Sequence, residues 1–144
     1  MISNAEIRTI LERHFSRRSE AESGASDEEW DRVQEYFSCQ FPESFRLFMT
    51  IVTEYYFEGG LLSVASDGEI EGEDTLITTV ELEREMGNWP IDAVPFYDVG
   101  NGDYYCLNGN EGPNSRVYYV YHEDRRVEIV KASFDDWIRG MPDY

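Results

Sequence analysis

The sequence predicts an α+β fold in which a largely antiparallel sheet of about 5–6 strands is flanked by N-terminal helices and a C-terminal helix. Two observations predict this. Apolar residues recur at helical spacing through residues 2–57, whereas short runs rich in valine, tyrosine and isoleucine dominate from residue 61 onward. Helices that precede a group of strands, rather than alternate with them, are typical of α+β proteins. The length of 144 residues suits a single domain over residues 1–144.

The first predicted helix spans residues 2–18, because Ile7 and Leu11 share one apolar face with their neighbours at helical spacing. His14 lies one turn from Leu11, which indicates a histidine at the boundary of the core rather than a metal ligand. The small polar run at residues 19–26 predicts a linker.

The second and third helices follow the linker. Ser26 and Glu29 form the pattern of a capping box, and Trp30 begins an apolar stripe that we expect to face the core. Pro42 suits the first turn of the third helix, where its missing N–H costs nothing. The "EGG" at residues 58–60 predicts the end of that helix, since glycine tolerates a left-handed cap.

The second half of the chain predicts strands and two short helices. A helix is expected at residues 81–86, and Ser133 with Asp136 indicates a capped helix near the C-terminus. Strands are predicted at 61–66, 74–80, 94–99, 103–108, 116–123 and 126–132.

The stretch "VGNGDYYCLN" contains Asn101-Gly102, the strongest short signal for a hairpin, because both positions can take positive φ. Gly100 adds room for a bulge or a close backbone approach. We therefore expect a tight turn between two strands here.

Neither a metal site nor a cofactor is predicted. Cys39 and Cys106 sit among apolar residues, which favours buried thiols over a disulfide, and no zinc spacing is present. Residues 67–78 resemble a calcium loop in the spacing of their first acids, but Thr78 occupies the position that needs a glutamate. A solvated acidic turn is the favoured interpretation.

Catalytic patterns are weak. Asp98 and Asp103 flank the predicted hairpin turn and are the candidate pair for a carboxylate-based hydrolase. Cys106 and His122 could meet on adjacent strands as a nucleophile and base, but strand residues buried in the sheet are the favoured interpretation. The nucleophile elbow and the phosphate-binding loop are both missing from the sequence.

The net charge of -18 and pI of about 4.3 argue against binding to nucleic acid or anionic membranes and favour a basic protein partner. Solubility alone is the alternative explanation of this charge. With no signal segment or long apolar run, we expect a cytoplasmic protein of undetermined oligomeric state. Acidic residues concentrate at Glu58, Asp67, Glu69, Glu71, Glu73, Asp74, Glu81, Glu83 and Glu85.

Adjacent tyrosines add a second surface signal. In an alternating strand, one of Tyr104 and Tyr105 and one of Tyr118 and Tyr119 must point away from the core, unless a helix covers that face as well. Exposed tyrosines among carboxylates are typical of protein-binding surfaces.

The order of these patterns resembles the SUKH superfamily, the domain shared by a yeast cell-wall synthesis regulator and many bacterial immunity proteins. Asn101 replaces a glycine frequent in that family's turn, and Glu58 replaces an asparagine expected before the paired glycines. The resemblance covers a core of residues 26–138 through "DEEWDRVQEYF", "FPESFRLFM", "EGG", "VPFYDVGNGDYYCLN", "RVYYVYHED" and "ASFDDWI".

The resemblance implies a domain without catalytic activity. In bacteria such a domain commonly binds and neutralises a cognate toxin, often a nuclease; a regulatory scaffold of the yeast type is the alternative. We expect one group of residues, all of them acidic, to steer the partner. A second group, two tyrosines and two aspartates, is expected to form the contact. The steering residues are Asp67, Glu69, Glu71, Glu73 and Asp74, and the contact residues are Tyr56, Asp98, Asp103 and Tyr104.

Overall fold

A computed structural model describes residues 1–22, 24–64 and 75–144. Within these residues the chain forms five α-helices, two short 3₁₀ turns and one sheet of four strands. The helices are α1 (Asn4–His14), α2 (Asp27–Phe37), α3 (Glu43–Ile51), α4 (Leu76–Met86) and α5 (Phe134–Arg139). The strands are β1 (Ala93–Asp98), β2 (Tyr104–Asn108), β3 (Val117–Val120) and β4 (Val127–Lys131), and the 3₁₀ turns are Val52–Glu54 and Gly112–Asn114.

The sheet is an antiparallel meander in the order β1-β2-β3-β4. A separate segment covers the outer edge of β1, where Leu62 N–H donates to the carbonyl of Phe96 and Asp98 N–H donates to that of Gly60, each at 2.8 Å. A Cβ on Gly60 would lie 1.7 Å from the Asp98 carbonyl oxygen, so only glycine fits this approach.

Helices cover both faces of the sheet around β1 and β2. On one face, α1, α3 and α5 enclose an aromatic core in which Phe45, Phe96 and Trp137 are fully buried. On the other face, α4 and Trp89 pack over Cys106 and its neighbours in a smaller cluster. The larger cluster contains most of the buried apolar side chains, and their removal from water is the main favourable contribution to folding.

Helix α1 docks on its own domain. Ile7 and Leu11 are fully buried, and Arg8 pairs with Glu54 at 2.9 Å. The helix is shorter than the predicted span 2–18, because the backbone turns extended after His14, which is exposed.

The two predicted N-caps are present. Ser26 and Glu29 form a reciprocal capping box at the start of α2. The Ser133 hydroxyl accepts the N–H of Asp136 at 3.1 Å and caps α5. Both predictions are confirmed. The sequence alone is enough for them, because the two residues of each cap lie only three positions apart.

The sheet has fewer strands than the predicted 5–6. The predicted strand 74–80 is wrong: from Leu76 the chain is helical, because Thr75 and Thr78 cap each other and open α4. In the predicted strand 61–66, Leu61 and Ser63 form only isolated bridges, and residues 65 and 66 lie outside the described part.

Two turns differ from expectation. Helix α3 ends at Ile51, so the "EGG" at residues 58–60 does not terminate it. The hairpin between β1 and β2 is confirmed, but positive φ falls on Gly100 and Gly102 and not on Asn101. The connection is therefore a loop of residues 99–103 rather than a two-residue turn.

Candidate functional site

Asp103 organises the end of the sheet at the β1–β2 loop. Its side chain is buried; Oδ1 accepts the backbone N–H of His122 at 2.8 Å and lies 2.6 Å from His122 Nδ1. Its Oδ2 accepts the hydroxyl of Tyr119 at 2.7 Å. The register explains this cluster, because Tyr104 lies opposite Val120 and places Asp103 beside the residues after β3.

The environment keeps Asp103 ionised. Burial raises the pKa of this carboxyl, but hydrogen bonds from Tyr119 and His122 outweigh it and hold the pKa below the usual 3.8. Burial and the Asp103 carboxylate raise the pKa of Tyr119 well above its usual value. A catalytic acid needs a raised carboxyl pKa, so Asp103 suits a structural acceptor better than a proton donor.

The other polar side chains of the loop also hold backbone. Asp98 is half-buried, and its Oδ1 accepts the N–H of Gly100 at 2.8 Å. The Asn101 side chain accepts the N–H of Asp103 at 3.0 Å. Such local hydrogen bonds are the usual role of Asx side chains in turns, and they do not favour the carboxylate hydrolase considered above.

Four tyrosines, which we call the tyrosine ladder, cross one face of the sheet. Ring centroids are 5.9 Å apart for Tyr97 and Tyr105, 5.1 Å for Tyr105 and Tyr119, and 4.8 Å for Tyr119 and Tyr121. Trp137 packs against the β1 end of the ladder, while Tyr119 and Tyr121 are only partly buried. The ladder thus continues from the core to an accessible aromatic surface.

Tyr104 points to the opposite face, as strand alternation requires. It is buried beneath α4, and its hydroxyl donates to Glu83 Oε1 at 2.9 Å. Glu83 Oε2 pairs with Arg125 at 2.5 Å, so this face holds a buried ion pair. Both faces of the sheet are therefore covered at Tyr104 and Tyr105. This is the alternative considered above, in which a helix covers the second face.

The remaining predicted contact and steering residues lie elsewhere. Tyr56 is half exposed, on the segment after α3, and the Arg18 guanidinium lies 4.4 Å from its ring centroid. The five predicted steering acids lie outside the described residues: Asp67, Glu69, Glu71, Glu73 and Asp74. The partner-binding roles of both groups stay predictions.

Both cysteines are free thiols, but only Cys106 is buried as predicted, whereas Cys39 is partly buried. Cys106 is fully buried opposite Tyr118, and burial raises the pKa of its thiol well above the usual value. His122 is hydrogen-bonded to Asp103 instead of this thiol. A buried thiol with a raised pKa is a poor nucleophile, so the Cys106–His122 pair considered above is not favoured.

The described residues contain no group of three or more His, Cys, Asp or Glu side chains that could hold a metal ion. Most of the calcium-like segment 67–78 lies outside them, and Thr78 serves as a capping residue of α4. In the part of the chain that the structure describes, every helix is too short or too polar to cross a membrane.

Sequence reasoning missed Tyr119 and His122 as partners of Asp103. The signal that identifies them is the register of β2 on β3, which places the residue before β2 beside the residues that end β3. Once a hairpin is assumed, a buried aspartate at its start indicates a donor on the neighbouring strand.

These features define an α+β domain with a covered sheet and an acidic surface that includes accessible tyrosines. A family model described as SUKH_5, SMI1-KNR4 cell-wall, matches residues 7–141. The chain belongs to this family, which confirms the resemblance to the SUKH superfamily. Domains of this family are generally non-enzymatic binding domains.

The fold also matches solved structures. One of them, described as the crystal structure of a protein from Pseudomonas syringae pv. tomato, has 16% sequence identity and a TM-score of 0.65. The alignment covers 95% of this chain and 96% of that one, so the two share their fold along nearly their whole length. Comparison with curated proteins gave no match.

Proposed function

We propose that this chain is a non-enzymatic immunity protein that binds a basic toxin domain and neutralises it by occluding its active site. The observation that carries the proposal is the net charge of -18 on a domain of a binding family. Toxin sites that hold phosphates are basic, so an acidic inhibitor is attracted to them over long range.

Internal ion pairing supports this interpretation of the charge. Arg8 pairs with Glu54, Arg125 with Glu83, and Arg139 with Glu6. Each of these bases neutralises a carboxylate of its own chain, which leaves the acidic excess to face the surroundings. The charge is thus available for attraction to a partner, beyond what solubility needs.

The accessible tyrosines supply the contact part of the proposal. Tyr119 and Tyr121 form the open end of the tyrosine ladder, and Tyr56 is half exposed. Tyrosine gives a large contact area at a low cost in side-chain entropy and is enriched where interfaces bind most strongly. Asp98, half-buried at the β1–β2 loop, is a further residue that we expect to contribute a carboxylate to the contact.

The first experiment is affinity capture of the tagged chain from its native cells, with washes of rising ionic strength. The expected result is a stoichiometric basic partner that salt releases. Co-expression of that partner with and without this chain then measures protection of cell growth. A captured partner whose toxicity the chain leaves unchanged would contradict the immunity proposal.

Electrostatic steering by the acidic residues between Asp67 and Asp74 predicts an effect on the association rate. Replacing Glu69, Glu71 and Glu73 together by lysine should lower the association rate constant by roughly tenfold at low salt and flatten its salt dependence. Stopped-flow measurements with the captured partner check this. The matched control is replacement of three other acids, Glu28, Asp31 and Glu35, by lysine; all three are exposed on α2. Equal slowing in both sets would show a general charge effect instead of steering by this segment.

A regulatory scaffold is the second candidate, and the description of the family, SMI1-KNR4 cell-wall, favours it. A scaffold would bind cellular proteins rather than a toxin. Capture of several growth-related proteins, none of them toxic when expressed alone, would support this candidate over immunity.

A further inference from the structure

Among the described residues, β4 is the last strand of the sheet and has an unpaired outer edge, with apolar side chains exposed along it. Val127 is 44% exposed and Ile129 is 51% exposed. By contrast, the segment around Gly60 and Leu62 covers the edge of β1. Proteins usually protect sheet edges with charges, prolines or overlying segments, so an apolar open edge indicates a surface for another chain.

The hydrogen-bond register leaves the backbone of β4 available. Tyr121 N–H donates to the carbonyl of Arg126, and the Tyr121 carbonyl accepts the N–H of Arg125, so Tyr121 is hydrogen-bonded to the turn that leads into β4. Since hydrogen-bonded positions alternate along antiparallel strands, Val127, opposite Val120, directs its N–H and C=O away from β3. An added strand can therefore use these groups.

An apolar groove of about 180 Å³ lies beside the same strand. Pro90, Ile91, Tyr118 and Val127 are among the residues that line it, and Ile91 is 85% exposed. Ile129 lies opposite Tyr118 and extends this surface along β4. The groove lies on the same face of the sheet as Val127, so an added strand would direct alternate side chains onto it.

We propose that β4 binds an extended basic segment of the protein partner as a fifth strand, with alternate apolar side chains over Val127, Ile129 and the groove. This inference rests on the proposed function in one respect, the basic character of the partner. It adds the docking mode: backbone pairing for affinity and alternate side-chain positions for specificity.

Charge favours a basic occupant over a second copy of this chain. Two copies would bring net charges of -18 together at the edge. The exposed groups near β4 include the carboxylates of Asp92, Glu123 and Asp124. Nearby cations are already engaged: Arg125 pairs with Glu83 and Arg126 stacks on Tyr121. Lys131, at the far end of β4, lies against the last turn of α5.

The test uses the full chain and a displayed library of seven-residue peptides. The expected result is enrichment of sequences in which apolar and basic residues alternate. Val127→Pro removes an outward N–H without touching the bonds to β3 and should weaken the enriched peptides by about tenfold or more. Ile129→Thr should weaken them less, and Leu82→Gln, an equally exposed apolar residue on α4, should leave them unchanged.

Hydrogen exchange locates the binding. An enriched peptide should slow exchange of the amides of Val127 and Ile129 in the wild-type chain. Absence of enrichment, or enriched peptides that bind Val127→Pro normally, would overturn the proposal. So would a β4-mediated dimer in sedimentation, because the occupant would then be a second copy. If Val127→Pro still captures the basic partner, the docking mode fails while the proposed immunity function stands.

Discussion

Two buried carboxylates, Glu83 and Asp103, lie on opposite faces of the sheet and hold the same turn between β3 and β4. Glu83 accepts the hydroxyl of Tyr104 and pairs with Arg125. Asp103 accepts the hydroxyl of Tyr119 and binds His122. Each carboxylate thus combines a tyrosine hydroxyl with a nitrogen donor from the residues after β3.

The nitrogen donors of the two carboxylates differ in charge and exposure, and this difference determines how much each carboxylate contributes to stability. Arg125 is a permanent cation whose side chain is only 13% exposed, whereas the His122 side chain is 46% exposed and charged only when protonated. Loss of Glu83 leaves a buried charge unpaired, while loss of Asp103 leaves neutral donors that water can reach. The comparison teaches that similar geometry gives unequal stability.

The largest expected effect is therefore at Glu83. Glu83→Gln should lower the free energy of unfolding by about 3–5 kcal/mol, because the guanidinium of Arg125 remains buried without its counterion. Urea unfolding measures this. Glu81→Gln, an exposed site on the same helix, is the matched control and should change stability by less than about 0.5 kcal/mol. A loss at Glu83 no larger than that at Glu81 would show that the pair is effectively solvated.

Asp103→Asn should cost less, about 1–3 kcal/mol, because the amide keeps one acceptor while the bonds from Tyr119 and His122 weaken. The same unfolding experiment checks this, with Asp98→Asn as the control of equal chemistry on the same loop. If Asp103→Asn proves more damaging than Glu83→Gln, the ranking of the two carboxylates is reversed.

The dependence of stability on pH extends the comparison to a third carboxylate, Glu111. A hydrogen bond from Arg116 is the main cause that lowers the pKa of Glu111 to about 2; burial opposes it, and the hydroxyl of Tyr118 adds a further lowering. A lowered carboxyl pKa stabilises the fold above the ordinary value near 4.5, and this contribution disappears as the pH falls toward 2.

The lowered pKa of Asp103 stabilises the fold above its ordinary pKa of 3.8. This stabilisation should disappear only as the pH falls below 3.8. Urea unfolding at stepped pH checks both contributions. Glu111→Gln should flatten the stability curve between about pH 4.5 and 2, and Asp103→Asn should flatten it only below about pH 3.8. If stability depends on pH in the same way in a variant and in the wild-type chain, the replaced carboxylate does not contribute to the acid sensitivity of the fold.

Local patterns made much of the fold predictable. The caps at Ser26 and Ser133 and the hairpin around Gly102 depend on residues within a few positions, and the sequence contains them directly. The first part of helix α4, residues 76–80, is predicted as a strand because it is rich in threonine and β-branched residues, whereas the helix predicted at 81–86 is confirmed. The reciprocal capping of Thr75 and Thr78 and the packing on the sheet outweigh that strand propensity.

The candidate site was less predictable because it depends on strand register. Asp103 was selected, but Tyr119 and His122 become its partners only through the pairing of β2 with β3. Tyr104 is predicted as a contact residue, yet it is buried beneath α4, whose first residues, 76–80, are predicted as a strand. Register and overlying elements are long-range properties, which single-sequence patterns do not determine.

The double attachment of the turn after β3 has a further consequence for any chain that pairs with β4. Arg125 holds this turn from one face and His122 from the other, so the start of β4 is already ordered before an added strand arrives. Association then requires little loss of conformational entropy from this domain, and the ordering cost falls mainly on the incoming segment.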